Sequence, residues 1–220
     1  MKTVLFHASP RKDQNTWQLL KAAQRGAGDV GSETVFVDLY DYTFHGCRSC
    51  FACKRKGNSC GNVCAVKDEI TDILHEAYEA DVLIFGTPVY LHGASSQFRA
   101  FLERLLFPIT SYSVDEHGNR TRILDRTVRT GLIYSMNNGP DSLEKKRYST
   151  LLGVNGELLQ TAYGHNEILY AFNTWQFDDY DRYQADMFDV EAKKKSRAEQ
   201  FPKDLQAAYQ LGKAMVTGID

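Results

Sequence analysis

All five cysteines of the 220-residue chain fall between residues 47 and 64, in the run Cys47-x2-Cys50-x2-Cys53-x6-Cys60, followed by Cys64. Three thiols at x2 spacing on a short non-helical turn converge on one small volume, where thiolates repel one another unless a cation shares them. Iron–sulfur ligation answers that repulsion. Redox-active or idle thiols are the competing reading. Zinc is a third, although it more often uses two separated Cys-x2-Cys pairs. A disulfide framework would spread its cysteines to staple distant loops, so the clustering points to metal or redox chemistry in a reducing compartment, the cytoplasm.

A second set of reactive types lies at the opening of the chain. Val4, Leu5 and Phe6 are followed by Ser9, Pro10 and Arg11, and then by Gln14, Asn15 and Thr16 at the start of a helical pattern. Pro10 disfavours helix at Ser9 and forces a turn. The turn offers hydroxyls, an amide, an arginine and free backbone N–H groups at a helix N-terminus, a combination that binds anions. Neither a Gly-x-Gly-x-x-Gly dinucleotide fingerprint nor a Gly-Lys-Ser/Thr phosphate loop is present. An ordinary capped strand-to-helix turn is the plain alternative.

These residues need a scaffold, and the apolar pattern supplies one. Residues 4–6 suit a strand buried on both faces, as in a parallel sheet. Gly26 and Gly28 mark the expected end of the first helix, and residues 33–39 read as a second strand. Residues 41–67 lack long periodicity and form an elaborated cysteine-rich loop. An amphipathic helix over 68–80 leads into a third strand at 82–85, then into Gly86-Thr-Pro-Val-Tyr-Leu-His-Gly and a helix over 95–106. Residues 111–125 are polar and predict a turn or short hairpin. A fourth strand at 127–134, a helical stretch at 143–163 and a fifth strand at 167–172 complete a doubly wound α/β domain. Its ligands should sit beyond the carboxyl ends of the strands. Residues 173–220 form a C-terminal extension. The whole reads as a single domain, since 220 residues can bury about 70% of their unfolded surface in one core.

With 26 basic against 28 acidic residues, nothing favours nucleic acid or an anionic membrane as partner. No apolar run reaches membrane-spanning length, and Met-Lys followed by a strand is not a signal peptide.

Ser9, Pro10, Arg11, Asn15 and Thr16 resemble the Gly-Ser-Pro-Arg-x-x-Gly-Asn-Thr loop of flavodoxin-like flavin reductases, with Ala8 and Gln14 in place of its glycines. Gly86 to Tyr90, followed by Ser-Ser-Gln-Phe-Arg-Ala-Phe-Leu-Glu-Arg, is similar to the Ser-Pro-Val-Tyr and Lys-Ala-Phe-x-Asp-Arg signature of the NAD(P)H-dependent FMN reductase and iron–sulfur flavoprotein family. The resemblance covers roughly residues 1–140. It implies a five-stranded flavodoxin-like sheet of order 2-1-3-4-5 and an FMN cofactor. The phosphate would be held by Ser9, Arg11, Gln14, Asn15 and Thr16, and the ring flanked by Thr87, Pro88, Val89, Tyr90, Leu91 and His92. Ser135, Met136 and Asn137 would lie at the pyrimidine edge.

The same resemblance implies a [4Fe–4S] cluster on Cys47, Cys50, Cys53 and Cys60, with Cys64 as an alternative to Cys60. Iron and sulfide would then be present at about four per protomer. The implied activity takes hydride from NAD(P)H and passes electrons to a quinone, a flavin, an iron–sulfur centre or a redox protein. No side chain need act as catalyst, because the cofactor does the chemistry. A non-catalytic electron carrier and a thiol or metal sensor on the same fold are the rival readings; carriers are typically acidic, and this chain is near neutral. Trp175, Phe177, Tyr180, Tyr183 and Phe188 must cover either the protein's own core or a partner subunit, and a homodimer or homotetramer is the expectation.

Overall fold

In the computed structural model, residues 1–118 and 123–218 are described. The chain runs β1 (Lys2–His7), α1 (Asn15–Asp29), β2 (Glu33–Asp38), α2 (Thr71–Glu79), β3 (Val82–Tyr90), β4 (Gly93–Ala94), α3 (Ser96–Ile109), β5 (Val128–Ser135), α4 (Ser142–Lys145), α5 (Tyr148–Tyr163), β6 (Gly164–Ala171), α6 (Val190–Lys195) and α7 (Phe201–Thr217). Five parallel strands lie in the order β2-β1-β3-β5-β6, and the two-residue β4 pairs antiparallel with the end of β3. With β4 set aside, this is the flavodoxin-like order 2-1-3-4-5. The sequence pattern did not signal β4.

Alternation along the central strands divides the core in two. Val4, Phe6, Leu83, Phe85 and Leu132 face Phe98, Phe101, Leu152 and Leu159 on one side of the sheet. Leu5, Val82, Ile84 and Ile133 face Leu19, Leu20, Leu211 and Met215 on the other. Because both faces are covered, the strands read as continuous apolar runs rather than alternating ones.

Several boundaries differ from expectation. The first helix passes through Gly26 and Gly28 and ends at Asp29, before Val30. Gly26 is an approach point for α7: a Cβ there would lie 2.0 Å from the Tyr209 carbonyl oxygen. Reciprocally, one on Gly212 would lie 2.0 Å from the Ala23 carbonyl oxygen. Two helix backbones meet there, so the glycines serve packing instead of termination. The second helix starts at Thr71 rather than 68, because residues 68–71 form a turn in which the Thr71 N–H donates to the Asp68 carbonyl and Thr71 Oγ1 accepts from the Asp68 N–H. The stretch 143–163 breaks at Arg147, whose φ is +56°, into α4 and α5. In the polar segment, Asp115 accepts from the Gly118 N–H in a turn; residues 119–122 of that expected hairpin lie outside the described residues.

Candidate functional site

The carboxyl ends of β1, β3 and β5 deliver three loops to one edge of the sheet, and the segment after β6 closes over them. Together they line a cavity of about 150 Å³. Eleven of the fourteen residues expected at a cofactor line it: Ser9, Arg11, Gln14, Asn15 and Thr16 from the first loop, Pro88, Val89 and Tyr90 from the second, Ser135, Met136 and Asn137 from the third. Thr174, Trp175 and Gln176 complete the wall. Those three had no local signal beyond a cluster of aromatics. They are brought in by distance in sequence, through Thr174 N–H and Oγ1 bonds to the Met136 carbonyl.

Among the described residues the lining contains a cation and no carboxylate. The N-cap residue of α1, Gln14, gives no side-chain hydrogen bond, and the first turn holds no acidic residue. The helix therefore presents donors and the positive end of its dipole to the cavity, which is the chemistry of an anion site. Thr16 Oγ1 and Ser135 Oγ share a hydrogen bond of 2.7 Å, tying the first loop to the third. An FMN phosphate fits the donors of this set, an arginine, hydroxyls, an amide and helix N–H groups, on charge and on hydrogen-bond type. Two of the expected phosphate ligands are committed elsewhere: Arg11 Nη1 donates to the Gln176 carbonyl at 2.5 Å, and Asn15 Nδ2 to the Trp175 carbonyl at 2.6 Å. Arg197, from the C-terminal extension, backs them by donating to Asn15 Oδ1 and Gln18 Oε1.

Three expected residues lie off the cavity. Thr87 is fully buried and acts as a brace. Its Oγ1 accepts from the Ser95 N–H at 3.0 Å, while Ser95 caps α3 and donates to the Ala8 carbonyl. Leu91 and His92, with φ of +46° and +68°, form the two-residue turn between β3 and β4, a conformation that ordinarily selects Asn or Gly. The turn swings Leu91 into solvent, 99% exposed, and directs His92 Nδ1 to the Tyr148 hydroxyl at 2.9 Å. That hydroxyl also accepts from Asn138 Nδ2. His92 thus clamps the second loop to Tyr148 and, through that hydroxyl, to Asn138 of the third, and it is not among the residues that line the cavity.

The aromatics of the extension largely cover their own chain. Trp175 and Phe177 pack edge-on to Tyr180, and Phe177 stacks on Tyr183 at 4.4 Å. They hold the strap of residues 174–176 over the first loop.

The cysteine loop forms a second site on the opposite flank of α3. Cys47, Cys50, Cys53 and Cys64 line one small cavity with Phe51, Phe107 and Pro108; Cys60 is not among its walls. Asn58 Oδ1 accepts from the Cys60 N–H in a local turn, so of the expected set Cys47, Cys50 and Cys53 share this cavity with the alternative Cys64, and Cys60 lies apart. Arg104, 2% exposed, organises this loop. Its guanidinium donates to Cys64 Sγ at 2.9 Å, to both oxygens of Asp68 at 2.7 and 3.2 Å, and to the carbonyls of His45 and Val66. The donors suit iron and sulfide in kind. Their placement does not, since among the described residues no three His, Cys, Asp or Glu side chains are arranged to hold a metal, and the cavity measures about 10 Å³, the volume of one water. The thiols also differ in character. A hydrogen bond from the Ala52 N–H, helped by Arg48, holds exposed Cys50 below the ordinary thiol range, while burial pushes Cys53 up.

Among the described residues no helix is long and apolar enough to cross a membrane. Comparison with known proteins agrees with this architecture. An iron-sulfur flavoprotein of Methanocaldococcus jannaschii is 35% identical over 104 residues, which are 47% of this chain and 51% of that protein. One from Archaeoglobus fulgidus is 32% identical over 104 residues, 47% and 48% of the two chains. The chain spans about half the length of the curated relatives it matches. Among solved structures, an NAD(P)H:quinone oxidoreductase from Methanothermobacter marburgensis superposes with a TM-score of 0.66 at 15% identity, covering 97% of this chain and 98% of that one. An azoreductase from Bacillus anthracis gives 0.65 at 12%, covering 96% and 98%. At such identities the likeness establishes the fold. Residues 1–125, which carry both the turn of residues 9–16 and the cysteine loop, match the family described as NADPH-dependent FMN reductase, and the chain belongs to that family.

Proposed function

We propose that the protein is an FMN-dependent oxidoreductase that takes hydride from NAD(P)H and passes electrons to a small-molecule acceptor such as a quinone or flavin, or to a redox protein. The observation that carries this reading is the cavity at the sheet edge, with an uncapped helix N-terminus, an arginine and no carboxylate. When bound there, FMN supplies a hydride-accepting ring. The protein's own part is to hold and orient. Ser9, Thr16 and the first-turn N–H groups of α1 receive the phosphate, with Arg11 turning from the Gln176 carbonyl to the stronger, charged acceptor. Pro88, Val89 and Tyr90 border the ring on one side, Ser135 to Asn137 on another. Tyr90 is 45% exposed, so the cavity is open where a nicotinamide or an acceptor would approach.

Five free thiols suit a reducing cytoplasm. The relatives' names supply the iron–sulfur reading, which the placement of the cysteines does not support, and no electron path is drawn through it. Self-association would use exposed apolar side chains such as Leu91 and, on α5, Leu151, Val154 and Leu158, rather than the aromatics of the extension.

Anaerobic titration tests the function. FMN should bind stoichiometrically, and NADH or NADPH should bleach the bound flavin without a partner protein. Arg11→Ala should weaken FMN by about tenfold to a hundredfold, the worth of one charge-assisted contact. Protein that stays colourless with excess FMN would overturn the reading, and bleaching only through another protein would favour a carrier.

A further inference from the structure

Lys193 is 3% exposed, yet its ammonium forms no ion pair among the described residues. It rests over the Phe188 ring at 5.5 Å and donates to two acceptors of one residue, the Asn137 carbonyl at 2.7 Å and Asn137 Oδ1. Burying a cation on a neutral amide is costly when water or a carboxylate would serve better. Burial alone brings its pKa down to about 8. The unusual feature is where this cost is incurred. Asn137 lines the cavity, and both of its oxygens are turned to the lysine. Its Nδ2 hydrogens have no acceptor among the described residues and are the side-chain donors left for a ligand. An amide whose oxygen is held by an ammonium is also a stronger donor, because hydrogen bonds in series polarise one another.

We propose that Lys193 is a positioning residue that, through Asn137, aims and strengthens an amide donor at the edge of the cofactor where negative charge gathers on reduction. This rests on the flavin reading above. Lys193 touches no reacting atom. Its charge lies one residue behind the cavity wall, in surroundings where screening by water is weak. The interaction favours the reduced, more negative cofactor over the oxidised one, so it shifts the redox equilibrium rather than binding as such. The element that brings it there is the C-terminal extension. The same helical run carries Arg197 to Asn15, so both ends of the cavity are backed by cations from one segment.

The test is the two-electron midpoint potential of FMN bound to Lys193→Met, Lys193→Gln and Lys193→Arg, measured spectroelectrochemically with the dissociation constant for oxidised FMN. In Lys193→Met and Lys193→Gln the affinity for reduced FMN should fall about tenfold more than that for oxidised FMN. That ratio is about 30 mV toward more negative potential. Lys193→Arg should restore most of it. Gln keeps polar cover should the Met variant fail to fold. Equal losses for both redox states, or an unchanged potential in either variant, would make Lys193 merely structural and overturn the proposal. Failure of the wild-type protein to take up FMN would overturn the function instead, a result distinguishable at the first titration.

Discussion

Replacing Arg104 by Met tests whether one buried guanidinium holds the cysteine loop in place. The side chain is 2% exposed and makes five contacts: one with Cys64 Sγ, two with Asp68 and two with backbone carbonyls of the loop. Methionine fills much of the volume and removes every donor. Breaking a buried pair from one side costs about 3–5 kcal/mol. The Asp68 side chain is 23% exposed and regains part of its hydration, so about 3 kcal/mol is the reasoned value. For a chain of this size that lowers the melting temperature by roughly 6–12 °C. Arg104→Met combined with Asp68→Leu removes the stranded carboxylate and should recover about 1–2 kcal/mol of the loss. The assay is urea and thermal unfolding of the wild type, both single variants and the double variant, with Cys64 labelling by a thiol reagent as a local probe. Loss below about 1 kcal/mol in Arg104→Met, or a double variant that is simply additive, would refute the argument that this ion pair is buried and coupled.

Two further outcomes follow from the burial of single groups. His7 is fully buried with neither ring nitrogen hydrogen-bonded, although Nδ1 lies 3.2 Å from Asp38 Oδ1. Burial lowers its pKa, against the opposing pull of Asp38. The unfolded chain therefore takes up the proton first, and stability should be full above about pH 6.5 and fall below it, by up to about 1.4 kcal/mol per pH unit from this group. Urea midpoints between pH 7.5 and 5.5 should slope less in His7→Phe than in the wild type; parallel slopes would remove His7 from the account. In the cysteine loop, iodoacetamide at neutral pH should label Cys50 before Cys53, read by peptide mass spectrometry, because the thiolate is the nucleophile. The reverse order would show that the Ala52 N–H does not govern Cys50.

What the residue order by itself determined was the scaffold and most of the cavity. Buried parallel strands carry apolar residues on both faces, so β1, β3 and β5 announce themselves. Pro10 forces the first turn, and any loop at the carboxyl end of such strands is at the ligand edge. Local signals failed where the partner was remote. Gly26 looked like a helix end because its reason, the backbone of Tyr209, lies 183 positions away in sequence. The contact of His92 with Tyr148 had no local signal either, because it depends on the left-handed turn at residues 91 and 92. Spacing put Cys60 with the first three cysteines and kept Cys64 as an alternative; the contact of Cys64 with Arg104 on α3, which brings Cys64 and not Cys60 into their cavity, had no local signal. Thr174 to Gln176 reach the site because they follow β6, which pairs with β5, and because Thr174 bonds the Met136 carbonyl; Lys193 and Arg197 reach it because the extension returns across the third and first loops. No periodicity encodes that return, which is decided by which buried faces remain uncovered once the sheet has formed.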